Sequence, residues 1–376
     1  MKDKFRIQGR LGIWITKFLE NRAQEVLIEE TTSEKSIVKS GSIQGSVLGP
    51  VLFLMFIQDI SEDMTVNTKV FVDDTKLKEK ILGEEDVIKV QENLDTLYKW
   101  QENNNMQFNG TKFQVLRYGL NEDIKNDTIY FTDNMENIID RYSSVKDLGM
   151  ILSDDAKFEE HIEKVSKTVR QKVGWITRTF FTRNTDHLKH LWKTLVLCHI
   201  DYCSQLYMPG QGLGMLAIEK LFYNYSRLIP EVREDDYWTR LQKLKMLSQE
   251  RRMERYRIIY IWKILEDLAP NCGVHLTVAN ERLGRKVKIP SLIPGGRQAI
   301  QSMREQSFQI HGARLFNCLP KKIRNIRIYQ EDFKEALDRY IEKIPDQPRM
   351  NTLVPTATHR VTGKQSNSLI AWIQEN

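Results

Sequence analysis

The chain has 376 residues, a hydrophobic fraction of 41% and a formal net charge of +6. This length predicts two or three domains, and the apolar content excludes an intrinsically disordered chain. Four cysteines are too few for a disulfide scaffold, so we expect an intracellular protein without distinguishing nucleus from cytoplasm. The first residues lack the apolar segment of a signal peptide, and we expect no membrane partner.

The first 60 residues predict a helix, a polar hairpin, a glycine-rich loop and a second helix. Apolar residues at helical spacing indicate an amphipathic helix from about Leu11, and short runs at 24–29 and 36–39 indicate strands. The loop 40–50 leads into the apolar run 47–57, which is too short to cross a bilayer and predicts a buried helix. Glycines let backbone N–H groups approach a ligand, although such a loop alone is more typical of a plain helix entry.

Two adjacent carboxylates, Asp73 and Asp74, lie between two β-type runs within residues 68–77. Aspartate is common in such turns for conformational reasons, so the pair alone favours a polar turn. Carboxylates also ligate divalent cations, but a nucleotidyl transferase that uses two metal ions needs further acids from other elements. The turn by itself leaves both interpretations open.

The next segments complete a predicted α+β domain with a mixed sheet packed by helices. A long amphipathic helix is predicted from Glu84 to Asn105, followed by a turn at Asn109-Gly110 and a strand to Tyr118. Polar residues 121–140 predict a loop or an inserted hairpin, and 145–152 is strand-like.

The second half of the sequence is predicted to be mainly helical and then basic. Apolar periodicity indicates long helices at 159–180, 187–207 and 240–265. Between 282 and 327, eleven basic residues are opposed by one acid, which predicts contacts with nucleic-acid phosphates. The tail beyond Asp346 is predicted to be poorly ordered. The residues expected to bind nucleic acid are Arg285, Lys286, Lys288, Arg297, Arg314, Lys321 and Lys322.

For two further patterns we favour a purely structural interpretation over a functional one. Arg251, Arg252 and Arg255 could contact nucleic acid, but a solvated face of a helix is the commoner outcome. Cys198 and Cys203, with two nearby histidines, could suggest zinc, but no second cysteine pair follows at finger spacing. We therefore expect buried cysteines without a metal.

The combination of loop and turn is more specific than either part. Ser40-Gly-Ser-Ile-Gln-Gly-Ser-Val-Leu-Gly-Pro50, an apolar helix and Phe71-Val-Asp-Asp74 resemble motifs B and C of reverse transcriptases. The likeness is greatest to the non-LTR, LINE-type, Jockey-like retrotransposon polymerases. Residues 105–112 resemble motif D and residues 148–161 resemble motif E and the start of the thumb. The likeness continues through 199–205 and 307–320, so that it covers about 5–347.

The resemblance implies a domain order and a reaction. The reaction would be RNA-templated addition of a deoxynucleoside triphosphate to a DNA primer, with an endonuclease of the same element as a candidate partner. The implied regions are a partial polymerase palm at 1–119, a motif E-like hairpin connection at 120–158, a helical thumb-like region at 159–268, a basic C-terminal region at 269–347 and a poorly ordered tail at 348–376.

The resemblance also implies roles for five residues. Asp73 would ligate the catalytic Mg²⁺ or Mn²⁺ ions, with Asp74 in support. Gln44 and Gly45 would line the pocket for nucleotide and template. Lys112 would lie near the triphosphate.

The sequence departs from the family pattern in ways that affect the expected activity. The family's motif A aspartate and its fingers precede the helix that begins here near Leu11, and no residue of this sequence matches them. Ser42, Ile43 and Val72 replace the usual Val, Pro and Ala. We therefore expect an N-terminally truncated polymerase that is incomplete or inactive alone. The alternative is a non-catalytic nucleic-acid-binding relic or recruited protein.

Overall fold

The computed structural model describes residues 5–119, 129–207, 213–270, 278–280, 285–289, 291, 298–347 and 367–375. The chain divides into two compact units, residues 1–142 and 143–376. Both contain helices and small sheets, which is compatible with the predicted α+β class. Every sheet formed by the described residues has two strands, so the larger mixed sheet expected from the sequence is not seen there.

The described residues of unit 1 form three long helices and four strand pairs. Three of these pairs are antiparallel and one, β7 with β8, is parallel. The helices are α1 (Gly9–Leu19), α2 (Leu48–Ile57) and α3 (Glu84–Asn103), with 3₁₀ turns at Gln58–Ser61 and Gly110–Lys112. The strands are β1 (Arg22–Gln24), β2 (Leu27–Ile28), β3 (Thr31–Thr32), β4 (Ser36–Val38), β5 (Asn67–Phe71), β6 (Asp74–Lys78), β7 (Val115–Leu116) and β8 (Arg141–Tyr142).

The apolar run after the glycine-rich loop forms the predicted helix, α2, but the helix is buried on one side only. Gly49, Leu52 and Ile57 are buried, whereas Val47 is 91% exposed and Val51 is 51% exposed. The prediction of a buried helix is therefore wrong for its other side. Because α2 is apolar all round, its sequence has no polar stripe that would mark the uncovered side. None of the described helices has both the length and the apolar composition that crossing a membrane requires.

The core of unit 1 is built on α3. Leu94 of this helix packs with Phe131 and Ile139, which lie in the segment that was predicted to be a loop or a hairpin. Near the end of α3, Trp100 stacks on Phe108 at 6.3 Å between ring centroids, and an edge of Phe56 also meets Trp100. Aromatic pairs of this kind add to the stabilisation that comes from area burial alone. The helix thereby joins α2 to the segments that follow it.

Unit 2 contains the remaining elements. The helices are α4 (Glu159–Thr179), α5 (Thr185–Leu191), α6 (Leu197–Asp201), α7 (Ser204–Tyr207), α8 (Leu213–Ser226), α9 (Tyr237–Leu244), α10 (Gln249–Leu265), α11 (Gln298–Gln306), α12 (Phe308–Cys318), α13 (Lys321–Arg324), α14 (Gln330–Ile341) and α15 (Leu369–Glu375). The strands are β9 (Ser144–Asp147) paired with β10 (Met150–Ser153), and β11 (Val278–Asn280) paired with β12 (Lys286–Val287).

The segment 187–207 departs from the single helix predicted for it. A π-helical stretch, Trp192–Val196, separates α5 from α6, and the chain breaks again where Cys203 has a φ of +55°. The π stretch contributes Trp192, which is fully buried against Phe222 and Tyr225 of α8. Packing of this large ring accounts for the π-helical backbone conformation, which the spacing of apolar residues in the sequence does not reveal.

Helix α10 is shared by the two cores of unit 2. Met253 belongs to the first core with α4 and α8, whereas Ile258 and Trp262 belong to the second core. In that second core Trp262 stacks on Phe333 of α14 with 5.0 Å between ring centroids. The boundary predicted at residue 268 therefore falls within a region that packs as one body.

The end of the chain also packs on α10. Leu369 of α15 is buried in the second core, and its backbone N–H donates to Glu254 Oε2 at 3.0 Å. Asn367 accepts a 2.7 Å hydrogen bond from Arg251 through its carbonyl oxygen. The expectation of a poorly ordered tail is thus corrected for 367–375, while 348–366 lie outside the described residues.

A buried carboxyl group meets the start of α10. Glu219 Oε2 accepts hydrogen bonds from the backbone N–H groups of Gln249, at 2.8 Å, and Glu250, at 3.3 Å, while the Tyr237 hydroxyl donates to Oε1. Burial raises the pKa of Glu219 to about 7, and the nearby Asp346 acts in the same direction, against these three donors. The folded protein therefore holds a proton that an unfolded glutamate releases above its ordinary pKa of 4.5.

This proton predicts that stability falls with rising pH. The contribution of Glu219 is complete below pH 4.5 and is lost as the pH rises through 7, because the folded pKa is the higher one. Urea unfolding of the wild type should lose about 2–3 kcal/mol between pH 5 and pH 8 relative to Glu219→Gln. The exposed Glu342→Gln is the control and should keep the wild-type slope. Parallel wild-type and Glu219→Gln profiles would contradict the assignment.

Candidate active site

The two carboxylates lie at the tip of the hairpin formed by β5 and β6. Phe71 pairs with Asp74 in the ladder, so that Val72 and Asp73 form a two-residue turn. Val72 has a φ of +56°, which is an outlier for a β-branched residue and costs on the order of 1–3 kcal/mol. Asp73 and Asp74 are exposed, and within the described residues neither carboxylate takes part in a hydrogen bond or ion pair. The tip thus presents two adjacent carboxylates on strained backbone.

The base of this hairpin is fixed by Asn93 of α3. Its Oδ1 accepts from the backbone N–H groups of Thr65, at 2.7 Å, and Val66, at 3.3 Å. Its Nδ2 donates to Thr65 Oγ1 at 2.8 Å and to the carbonyl oxygen of Lys89 at 2.7 Å. The side chain is 3% exposed, and every hydrogen-bonding atom of its amide has a partner. One buried amide therefore determines where β5 begins.

Two other side chains of α3 hold neighbouring segments. Trp100 Nε1 donates to Asp59 Oδ1 at 2.9 Å, which ties α3 to the 3₁₀ turn after α2. Gln91 makes a pair of hydrogen bonds with the backbone of Thr132, at 3.0 and 3.1 Å. Helix α3 consequently positions the hairpin, the end of α2 and the segment around Thr132 together. Periodicity predicted this helix but not its polar anchors.

The glycine-rich loop is a compact turn that enters α2. Ser46 Oγ donates to the Ile43 carbonyl oxygen at 2.7 Å and accepts from the Gly49 N–H at 3.0 Å, and so satisfies a free donor of the first helical turn. A Cβ at Gly49 would lie 3.1 Å from the same carbonyl oxygen, so that only glycine fits without movement. Gly45 needs glycine for another reason, because its φ is +81° in open space.

Arg22 holds this loop from β1 and was missed by the sequence analysis. Its Nε donates to the Leu19 carbonyl oxygen at 2.8 Å, at the end of α1, and its Nη2 donates to the Gly41 carbonyl oxygen. Register in the β1–β4 hairpin, where Arg22 pairs with Val38, sets the guanidinium near the loop. Because the Gly41 carbonyl oxygen lies nineteen residues from Arg22 in the sequence, no local sequence pattern could have predicted this hydrogen bond.

The other predicted nucleotide contacts are exposed. Gln44 lies at the outside of the loop, and Lys112 ends a 3₁₀ turn that Asn109 caps by accepting from the Thr111 N–H at 3.2 Å. In the part of the chain that the structure describes, no hydrogen bond or ion pair joins Gln44, Gly45 or Lys112 to Asp73 or Asp74. All five residues lie in unit 1.

The hairpin tip provides a partial set of metal ligands. Mg²⁺ prefers oxygen ligands and is commonly bound by one or two carboxylates, waters and substrate phosphates, so Asp73 and Asp74 fit one such ion. No cluster of three or more histidines, cysteines or acids suitable for a metal ion occurs among the described residues. This carboxylate set therefore falls short of what a pair of ions requires.

The residues predicted to bind nucleic acid separate into distinct groups. Arg285 is buried and pairs with Glu266, and its Nη2 donates to the Leu265 carbonyl oxygen at 3.0 Å. Burial and this pairing argue against its predicted role as a nucleic-acid contact, because they leave the guanidinium little access to a phosphate. Arg314 is half-buried with Glu305 at 3.6 Å, and Arg297 lies outside the described residues. The exposed members are Lys286, Lys288, Lys321 and Lys322.

The arginines of α10 form neither a nucleic-acid surface nor the solvated face that was favoured. Arg251 is 1% exposed and donates to the carbonyl oxygens of Pro345 and Asn367. Arg252 pairs with Asp201, with Nε to Oδ1 at 3.0 Å. Arg255 pairs with Asp338 of α14. Two cores enclose this helix, so its charges serve as internal cross-links.

The cysteine prediction is only partly met. Cys198 is exposed and Cys203 is half-buried, so burial as expected is wrong for the first of them. Neither cysteine belongs to a group of three or more histidines, cysteines and acids that could hold a metal ion among the described residues. Cys203 lies instead at the break between α6 and α7.

Comparison with known proteins gives a family match, which covers the first 152 residues. Residues 1–152 match the reverse transcriptase (RNA-dependent DNA polymerase) family. The resemblance inferred from the loop and the turn is thereby confirmed. This reverse transcriptase segment includes every candidate active-site residue and extends into β10 of unit 2.

Two curated relatives support the same conclusion. The chain is 27% identical over 222 residues to the RNA-directed DNA polymerase from mobile element jockey of Drosophila melanogaster, and 24% identical over 221 residues to that of Drosophila funebris. Each match covers 55% of this chain and 23% of the relative, so the chain spans less than a quarter of the length of either. No solved structure matches the chain significantly.

The Asn93 anchor predicts a specific loss in the reverse transcriptase segment. Asn93→Ala leaves the N–H of buried Val66 and that of the more exposed Thr65 without their acceptor, which should cost about 1–3 kcal/mol. Hydrogen exchange should then show reduced protection of the β5–β6 ladder. Asn103→Ala, at the exposed end of the same helix, should change stability by less than about 0.5 kcal/mol. Unchanged ladder protection in Asn93→Ala would refute the anchoring role.

Proposed function

We propose that the chain belongs to an RNA-directed DNA polymerase of a non-LTR, LINE-type element and supplies half of its metal site. In this proposal residues 1–119 form part of the palm and residues 159–268 form a thumb-like region. The observation that carries the proposal is the strained two-residue turn, which presents Asp73 and Asp74 at the tip of a hairpin within the reverse transcriptase match. Positive φ at a β-branched residue persists where surrounding structure enforces it, and such strain clusters at functional sites.

Asp73 is assigned as the principal metal-ligating carboxylate and Asp74 as its support. Neither has a competing partner among the described residues, so their oxygens are free to coordinate. A bound Mg²⁺ or Mn²⁺ would neutralise the charge that develops when a primer 3′-OH attacks the α-phosphorus of a nucleoside triphosphate and pyrophosphate leaves. The chain's contribution is to hold two carboxylates at a fixed position.

The remaining assignments concern the nucleotide. Gln44 and Gly45 line the proposed pocket for nucleotide and template, where the lack of a Cβ at Gly45 allows close approach of a base or sugar. Lys112 is exposed and has no ion-pair partner in the described part of the chain, so its ammonium group can pair with a triphosphate. The substrates would be an RNA template, a DNA primer and deoxynucleoside triphosphates. An endonuclease of the same element is a proposed partner.

A second candidate function is non-catalytic binding of nucleic acid. It is favoured by one observation, namely that the candidate carboxylates come from a single hairpin. Two-ion chemistry requires ligands that grip both the attacking and the leaving oxygen. A chain with this half-site alone would retain affinity for nucleic acid without extending a primer.

Primer extension distinguishes the two functions. The purified chain is given a primed RNA template, deoxynucleoside triphosphates and Mn²⁺, and extension is followed on a gel. The polymerase function predicts extension that Asp73→Asn lowers at least about 100-fold, because one metal-ligating carboxylate is lost. Asp63→Asn, an exposed aspartate just ahead of β5, is the matched control and should retain wild-type activity.

Each outcome of this experiment has a definite consequence. Extension that survives in Asp73→Asn would remove Asp73 from the site. Binding of the primed template without any extension would select the non-catalytic function. Absence of both binding and extension would contradict both proposals.

A further inference from the structure

One face of α4 carries cations that no acid among the described residues neutralises. We define the basic face as Lys164, Lys167, Arg170, Arg178 and the ring of Trp175. Helical spacing sets these residues on one side of α4, and Lys167, Arg170, Arg178 and Trp175 are exposed. None of the four cations has an ion-pair partner in the described part of the chain. This face was not singled out by the sequence analysis.

The charge along this stretch is of one sign. Residues 164–185 contain six lysines and arginines and no acid. The acids of α4, Glu159, Glu160 and Glu163, lie in its first turns, so the helix is acidic at its start and basic over the rest. Like charges held this close without counter-ions are costly unless a polyanion or solvent ions screen them.

The opposite face of α4 fixes how the basic face is presented. Val165, Val169 and Ile176 are buried in the first core of unit 2, so the helix cannot rotate without losing that packing. From Lys164 to Arg178 the helix rises about 21 Å. The cations therefore form a rigid track of several phosphate spacings, and a polynucleotide binding to it would not have to order them first.

Two aromatic rings are exposed at the end of this track. Trp175 is 44% exposed and is held by an edge contact with Phe180, 5.7 Å between ring centroids. Phe181 is 86% exposed. Rings beside cations are the arrangement on which unpaired bases stack, and each stacked base contributes appreciably whatever its sequence.

We propose that the basic face of α4, with Phe181, binds a single-stranded segment of nucleic acid through phosphate contacts and base stacking. Single strands fit better than duplex, because bases in a duplex already stack on one another and cannot reach an exposed ring. An anionic membrane fits less well, because the apolar side of α4 is committed to the core and only two rings would insert.

This binding goes beyond the proposed polymerase function and does not depend on it. It is measured by fluorescence anisotropy on the full chain in EDTA, without deoxynucleoside triphosphates, so failure of catalysis leaves the result intact. The probes are labelled U15, T15 and a 15-base-pair DNA duplex, over a series of salt concentrations.

The charge contribution is tested with a triple variant and a matched triple. The salt slope is the decrease in the logarithm of the binding constant per unit increase in the logarithm of the salt concentration. Lys167→Gln, Arg170→Gln and Arg178→Gln together should lower this slope for U15 or T15 by about 2, because each phosphate contact contributes about 0.7 for a single strand. Lys334→Gln, Arg339→Gln and Lys343→Gln remove the same charge from α14 and the turn that follows it, and should leave the slope unchanged. Equal losses in the two triples would overturn the proposal, because only net charge would matter.

The stacking contribution is tested with Trp175. Trp175→Ala should weaken single-strand binding about tenfold at an unchanged salt slope, and duplex binding less than twofold. Trp175→Phe keeps an aromatic ring and should retain most of the wild-type affinity. If Trp175 only supported the fold, a smaller ring would not be expected to preserve binding. Trp238→Ala is the control, since this tryptophan of α9 is 37% exposed.

Three results would overturn the proposal. Equal weakening of single-strand and duplex binding by Trp175→Ala would remove stacking. Tighter binding of the wild type to anionic phospholipid vesicles than to U15 or T15, lost in the α4 triple, would assign the face to a membrane. If the α4 triple variant bound the preferred probe with the same affinity as the wild type, the binding site would lie elsewhere. Thermal unfolding midpoints within a few degrees of wild type confirm that each variant is folded.

Discussion

The candidate active site depends on one buried amide. Asn93 satisfies two backbone N–H groups at the start of β5 and is itself held by Lys89 and Thr65, so α3 and the hairpin cannot shift independently. At the other end of that hairpin, Val72 takes up a backbone conformation that is unfavourable by itself. The anchor offsets this cost at the tip where Asp73 and Asp74 are exposed. The position of the two carboxylates and the backbone strain at Val72 therefore both arise in the β5–β6 hairpin, whose base is fixed by Asn93.

Unit 2 uses its charges differently from the way its composition suggests. The arginines of α10 and Arg285 are consumed in internal pairs with acids and with backbone carbonyl oxygens, where a buried guanidinium can satisfy several acceptors at once. Burial in the same region raises the pKa of Glu219 to about 7 and lowers the pKa of His311 to about 3, the latter with help from Arg257. The described cations that remain exposed to a polyanion include cations of α4 and the lysines at 286, 288, 321 and 322.

The candidate site residues could be predicted from the local sequence, but the side chains that hold them in place could not. The loop and the Asp73-Asp74 turn were predictable, because their residues are contiguous and resemble motifs of a known family. The anchor at Asn93 and the pairing of Arg285 with Glu266 were not, since each partner lies about 20–30 residues away. Apolar periodicity found most helices, yet it missed the uncovered side of α2 and the π stretch around Trp192, where packing decides the outcome.

The central claim is that the turn at Asp73 and Asp74 binds a divalent cation. The most direct test is a titration of the isotope-labelled chain with Mn²⁺, whose paramagnetism broadens nearby amide signals. The account predicts that the signals of the hairpin tip, Val72 to Asp74, broaden first and that Asp73→Asn with Asp74→Asn removes this effect. Broadening that begins elsewhere, for instance among the acids 154–160, or that persists at the tip in the double variant, would contradict the claim.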